Sequence, residues 1–275
     1  MGKNNATEED NHIWQDVMLH AATCAVFAGA NEYDRLILLL KTLEIPEKDF
    51  PTEKQLEHLR YQLQNLRSNF LHWFKKDQTI LKKHLAFTLL VPGGKADRAR
   101  GAVNAICHKG WLGIPPGVGV RRIAALIKPY VRFHNVKAKR LVDTLTRKFF
   151  RLVETVHLNP DRIQVIHDYI LKNIKGLGRK ATAHFMRNTG LCMDKFAYPI
   201  IDVHIHKVLE KLKFKHATYN EAEQSFWTLV KVVGMDVILL DAALWCIYSR
   251  NWNFTNSDFD NFGYNNINRN SDRRQ

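Results

Sequence analysis

The amino-acid sequence predicts an all-α protein. Two observations carry this. Glycine and proline are scarce, at 14 and 8 of 275 residues, and almost every segment between them repeats apolar residues at spacings of three and four, the period of a helix with one buried face.

In chain order, residues 1–12 are polar and acidic and are expected to be disordered. Residues 13–27 and 32–43 read as two helices, separated at Gly29 and stopped by Pro46. The clearest stripe runs through Leu56, Leu59, Leu63, Leu66, Phe70 and Trp73, and it reads as core. It begins at Pro51-Thr52-Glu53-Lys54-Gln55, where Thr52 can cap the helix and Gln55 can reach back. Helices are predicted over 80–91, stopped by Pro92-Gly93-Gly94, and over 96–108. A stretch rich in Gly and Pro, 110–119, reads as loop. Further helices are predicted over 121–128, 136–156, 160–174, 179–188, 203–212, 221–233 and 235–248. Residues 251–275 hold eight asparagines among few aliphatics and read as a flexible tail. No fixed-period repeat is present.

Composition excludes several classes. With 45% apolar and 11% aromatic residues the chain can bury a core, which rules out a disordered protein. The apolar runs, such as 36–40 and 85–91, fall far short of a spanning helix, so no membrane is expected. Cys24, Cys107, Cys192 and Cys246 are scattered without a Cys-x-x-Cys pair, so neither a disulfide framework nor a zinc or iron–sulfur ligand set is written. A reducing, intracellular compartment fits that usage. Lysine plus arginine number 41 against 27 acids, a net charge of +14 and a sequence pI of about 9.7. A polyanionic partner is the first expectation.

The most informative segment is Ile170-Leu171-Lys172-Asn173-Ile174-Lys175-Gly176-Leu177-Gly178-Arg179-Lys180-Ala181-Thr182-Ala183. Two amphipathic helices are joined by a Gly-hydrophobic-Gly turn, whose glycines admit backbone conformations closed to other residues. Such a turn exposes consecutive amides beside a helix N-terminus and suits a phosphate, reading no base sequence. Taken alone it is also an ordinary helix–helix turn. Lys180 falls in the first turn of the second helix, where the positive end of the helix dipole disfavours an ammonium and favours a neutral, nucleophilic amine. Downstream, Pro199-Ile200-Ile201-Asp202-Val203-His204 places an acid at the N-cap of another helix.

These residues resemble the signature of the helix–hairpin–helix DNA glycosylase superfamily, which contains endonuclease III and 8-oxoguanine DNA glycosylase. Within it, Ala183-His184-Phe185-Met186-Arg187-Asn188 and Arg132-Phe133-His134-Asn135-Val136-Lys137-Ala138 are similar to the archaeal-type 8-oxoguanine glycosylase/lyase branch. The likeness spans roughly residues 85–250. It implies two helical subdomains, 82–195 forming the hairpin-bearing bundle and 13–81 with 196–250 forming the other, and an active-site cleft between them. It further implies damaged double-stranded DNA as partner, action as a monomer, and chemistry that needs neither a metal nor an organic cofactor.

The resemblance casts Lys180 as the amine that attacks C1′ of an extruded nucleotide, leaving a Schiff base that permits β-elimination. It casts Asp202 as the charge that stabilises an oxocarbenium-like sugar. Asp241 and Trp245, four apart on one helical face, match base-contacting positions of that branch, as do Phe133 and His184. A carboxylate can accept from N1–H and N2–H₂ of guanine, and an indole can stack on the purine. The alternative for the pair is a surface aspartate beside a core tryptophan. Gly176, Gly178, Arg179 and His204 correspond to DNA-backbone contacts, and Lys137-Ala138-Lys139-Arg140, with Arg147 and Lys148, adds positive charge that is otherwise a solvated face.

A second Gly-hydrophobic-Gly, Pro116-Gly117-Val118-Gly119, has no clean amphipathic helix before it and reads as loop. Three features depart from the family pattern. Asp202 follows Lys180 by 22 positions, so the loop 191–198 is expected to bulge. Pro92-Gly93-Gly94-Lys95 stands where relatives carry polar gap-filling residues, and residues follow Trp245 where archaeal relatives end. The expected function is therefore a bifunctional DNA glycosylase and AP lyase for oxidised guanine. The alternatives are a glycosylase for an oxidised pyrimidine or alkylated purine, and a non-catalytic hairpin module that grips DNA.

Overall fold

The structure is a computed structural model that describes residues 29–76, 78–159, 162–191 and 198–250. Among these there is no strand. The helices are α1 (Glu32–Thr42), α2 (Glu53–Lys76), α3 (Gln78–Leu90), α4 (Ala96–His108), α5 (Val120–Ile127), α6 (His134–Asp143), α7 (Phe149–Leu158), α8 (Ile163–Asn173), α9 (Arg179–Asn188), α10 (Val203–Lys211), α11 (Tyr219–Val233) and α12 (Val237–Ser249). Short 3₁₀ turns cover Glu47–Asp49 and Trp111–Gly113, and a π-helical segment, Thr144–Lys148, joins α6 to α7. The expectations for residues 1–28, for the tail and for the bulge at 192–197 lie outside the described residues.

Local signals account for most boundaries. At α2, Thr52 Oγ1 accepts from Gln55 N at 3.2 Å and Gln55 Oε1 accepts from Thr52 N at 2.8 Å, the expected capping box. As far as Leu66 its stripe is core, with Leu56, Leu59, Leu63 and Leu66 all buried, and the side chains of Phe70 and Trp73 lie outside the described residues. Helix α11 starts two residues before the predicted 221, because Thr218 and Glu221 form a capping box of their own. Helix α12 starts at Val237, not 235, because the Asp236 carboxylate accepts from Ile238 N and Leu239 N. The helix predicted over 136–156 runs from 134 to 158 with the π-turn inside it, five residues being too few to disturb the apolar period.

The loop expected at Gly117-Val118-Gly119 is a tight turn that opens α5. Val118 N donates to Pro115 O at 3.0 Å, Gly117 has φ +82°, and Gly119 is the extended N-cap with φ −98°. Buried Val118 pins the turn, which composition alone does not reveal. Only a 3₁₀ turn precedes it, in keeping with the missing amphipathic helix.

The described residues fall into two compact units, 29–63 with 198–250, and 64–191. The first boundary falls within α2, where a continuous helical period shows no break, whereas the resemblance places it at 81/82. In the first unit Arg35 of α1 ties the segment before α1 to the end of α11. Its Nε donates to Val233 O at 2.7 Å, satisfying an orphan carbonyl at the end of α11, and its Nη1 donates to Ala30 O at 3.1 Å. Lys211 Nζ in turn donates to Leu43 O beyond α1.

In the second unit α3 is the central helix. His84, Leu85, Ala86, Phe87, Thr88, Leu89 and Leu90 are all buried, and α4, α6 and α9 pack on it. A helix buried on all sides needs no polar stripe, and α3 has nearly none.

Candidate active site

In the second unit the helix–hairpin–helix forms as predicted. Ile174 N closes α8 on Ile170 O, and Leu177 N donates to Ile174 O at 3.3 Å across the turn. Gly176 has φ +102°, a region L side chains avoid, and buried Leu177 anchors the turn in the core. Gly178 is the extended N-cap of α9 and supplies no side-chain cap. The first N–H groups of α9 therefore receive no side-chain cap from the N-cap residue. Lys180, its second residue, is exposed, and Arg179 is half-buried.

One turn beyond Lys180, half-buried His184 packs its ring 6.5 Å from that of Phe87 on α3, and Asn188 Nδ2 lies 3.3 Å from the imidazole Nε2. Burial first, then the positive charges of Arg187 and Lys180 and the nearness of the His84 ring, hold His184 neutral, with a pKa near 3. His84 behind it is pushed down to about 4 by burial and by Lys83. The structure thus brings Lys180 and His184 together on one helix, backed by a second neutral imidazole.

Phe133 is elsewhere in that unit. It is the N-cap of α6, with φ +55°, and is 70% exposed. The basic run that follows divides by helical period. Lys139 and Arg140 are exposed, as is Arg147, and Lys148 is half-buried. Lys137 is not part of a solvated face. It is 4% exposed, and its ammonium donates to Leu90 O, the last carbonyl of α3, at the negative end of that helix. Burial and neighbouring Arg140 hold its pKa below the usual lysine range.

In the first unit Asp202 caps α10 as predicted, its Oδ1 accepting from His204 N at 2.8 Å and Ile205 N at 3.0 Å. His204 stacks on Tyr248 of α12, ring centroids 5.8 Å apart at 29°. Its Nδ1 and the Tyr248 hydroxyl are enclosed with no hydrogen bond among the described residues. Burial raises the Tyr248 phenol above its ordinary range.

Asp241 is no surface carboxylate. It is 3% exposed within α12, and its Oδ2 accepts from Ile200 N at 3.2 Å. Trp245, one turn on, is half-buried. Tyr219, which sequence reasoning passed over, sits at the first position of α11 with its hydroxyl on the same segment: Oη accepts from Ile201 N at 3.3 Å and donates to Pro199 O at 3.4 Å. The Thr218-x-x-Glu221 capping box was the signal that could have placed Tyr219 at a helix start.

Comparison with known proteins gives the lineage. The profile of the family described as 8-oxoguanine DNA glycosylase matches residues 63–235. The 8-oxoguanine DNA glycosylase/AP lyase of Saccharolobus solfataricus is 27% identical over 194 residues, 67% of this chain and 86% of that protein. The one from Thermoplasma volcanium is 27% identical over 178 residues, 62% of this chain and 81% of its own. Among solved structures, the Methanocaldococcus jannaschii 8-oxoguanine glycosylase/lyase in complex with 15mer DNA containing 8-oxoguanine is similar in fold, with TM-score 0.59, 22% identity, and coverage of 78% of this chain and 98% of that one. With a family profile spanning more than half its length, on an all-helical fold that contains the glycine hairpin, this chain belongs to the 8-oxoguanine DNA glycosylase family.

Proposed function

We propose that the protein is a bifunctional DNA glycosylase and AP lyase that excises 8-oxoguanine from duplex DNA. One observation carries the reading: an exposed lysine, Lys180, in the first turn of a helix that a Gly-Leu-Gly hairpin starts without a side-chain cap. Relatives named 8-oxoguanine DNA glycosylase/AP lyase, at 27% identity, support the choice of lesion.

In this reading the amides of Gly176 and Gly178, with Arg179, take a backbone phosphate, and His204 takes another. The flipped nucleotide meets Lys180, whose amine nitrogen forms a bond to C1′ as the N-glycosidic bond breaks, and the base leaves with its electron pair and a proton given up by that nitrogen. Loss of the amine proton and opening of the sugar give a Schiff base, and removal of a C2′ proton expels the 3′ phosphate. Asp202 stabilises the positive sugar as the base departs. Trp245 and Phe133 offer aromatic faces to the purine, His184 a neutral imidazole, and Asp241 acceptors for guanine N1–H and N2–H₂.

Borohydride trapping on a duplex with 8-oxoguanine opposite cytosine tests the central claim. A covalent adduct is expected with the wild-type protein and none with Lys180→Gln, and an adduct that survives the change excludes Lys180 as nucleophile. Run across a panel of lesions with Asp241→Ala, the same assay tests the pocket: a preference unmoved by that change removes Asp241 from base recognition.

A further inference from the structure

Residues 198–202 lead into α10 outside any helix, and there is no sheet among the described residues to take their backbone groups. Pro199, Ile200 and Ile201 are nevertheless buried. Buried peptide groups need partners, and a segment without regular structure must find them in side chains. Here two helices supply them. Tyr219 Oη takes Ile201 N–H and gives its proton to Pro199 O, while the Asp241 carboxylate takes Ile200 N–H. The segment ends at Asp202, whose carboxylate is already committed to two amides of α10.

A carboxylate that must stabilise a transient charge works only if its position is held before the charge appears. Asp202 sits one residue beyond the clamped tripeptide. Tyr219 is itself aimed by the Thr218–Glu221 box, in which the Glu221 carboxylate accepts from Ala217 N and Thr218 N. We infer that Tyr219 and Asp241 are positioning residues that fix the main chain delivering Asp202, and that the buried Asp241 carboxylate has this duty whatever it does for the base. The inference rests on the reading of Asp202 as the charge-stabilising acid.

The test uses the full chain on a duplex carrying 8-oxoguanine, with single-turnover excision and duplex affinity measured separately. Tyr219→Phe keeps the ring and deletes both bonds of the hydroxyl, and Asp241→Leu deletes the third. Each is expected to slow excision by about ten- to a hundredfold, with duplex affinity unchanged in Tyr219→Phe. In an Asp202→Asn background Tyr219→Phe is expected to slow it no further, because its effect runs through Asp202. Asp241→Asn, which retains an acceptor for Ile200 N–H, is expected to recover part of what Asp241→Leu loses. Amide hydrogen exchange gives a second readout, with His204 and Ile205 amides expected to exchange faster in Tyr219→Phe as Asp202 leaves its cap. Equal slowing by Tyr219→Phe in the wild-type and Asp202→Asn backgrounds, or unchanged protection of those two amides, overturns the positioning role. Wild-type excision by Asp202→Asn alone overturns the reading beneath it, a result separable from the first because it needs no change at Tyr219 or Asp241.

Discussion

The Arg140 side chain fills the space beside Gly176: a Cβ built on that glycine would lie 2.8 Å from Arg140 Cδ and 3.0 Å from its Nη1. The hairpin glycine is thus required by its φ of +102°, and a Cβ there would also push aside the exposed, flexible end of Arg140 on α6. At Gly117, whose turn has the same sense, φ is +82° but no atom lies within 4 Å of a built Cβ.

The two glycines should therefore respond differently to alanine. Gly117→Ala is expected to cost about 1–2 kcal/mol, the strain of a left-handed alanine. Gly176→Ala should cost somewhat more, about 2–3 kcal/mol, because the exposed end of Arg140 must also move aside. In Gly176→Ala with Arg140→Ala the crowding is gone, and the loss should return towards the Gly117→Ala value. Urea denaturation measures all three, and equal losses for the two single variants would dismiss Arg140 as a steric partner.

Acid should destabilise the second unit through His84. Its folded pKa of about 4 lies below the ordinary 6.5, so the unfolded chain takes up the proton first. The associated stability is complete above about pH 6.5 and declines as pH falls towards 4, reaching about 3 kcal/mol for this imidazole alone. Neutral His184, with a pKa near 3, acts in the same direction. Urea unfolding at pH 7.5 and pH 4.5 checks this. Replacement by His84→Gln should flatten the difference, and parallel losses in both proteins would assign the acid sensitivity to other groups.

Lys137 is expected to be worth more to stability than its exposed neighbours. Lys137→Met removes the donor to Leu90 O and should cost about 1–3 kcal/mol. Lys139→Met, on an exposed position two residues further and off the buried face, should change stability by less than about 0.5 kcal/mol. Thermal or chemical denaturation separates the two. Similar small effects at both positions would mean that the buried ammonium contributes nothing net.

The features legible in the sequence are those set by neighbours a few residues away. The all-α class, the box at Thr52 and Gln55, the hairpin at Gly176 and Gly178 and the cap at Asp202 depend on bonds spanning two to four positions, so residue type and spacing suffice to read them. Lys180 in a first helical turn follows from the same local rules. Family likeness then supplied roles that no local rule contains.

Tertiary structure decided the rest. Helical period alone cannot tell which exposed-looking lysine turns inward, and it took the packing of α6 on α3 to bring Lys137 to Leu90 O, 47 positions away. Asp241 is 41 positions from Ile200, and Tyr219 is 18 from Ile201, distances over which side-chain partners depend on how helices fold back. Sequence by itself determined the hairpin, the helix starts and the caps that hold the candidate groups, through short-range geometry. Only the packed helices decided which buried amides those groups must hold, because satisfying a buried backbone donor is a problem that arises after the core has closed.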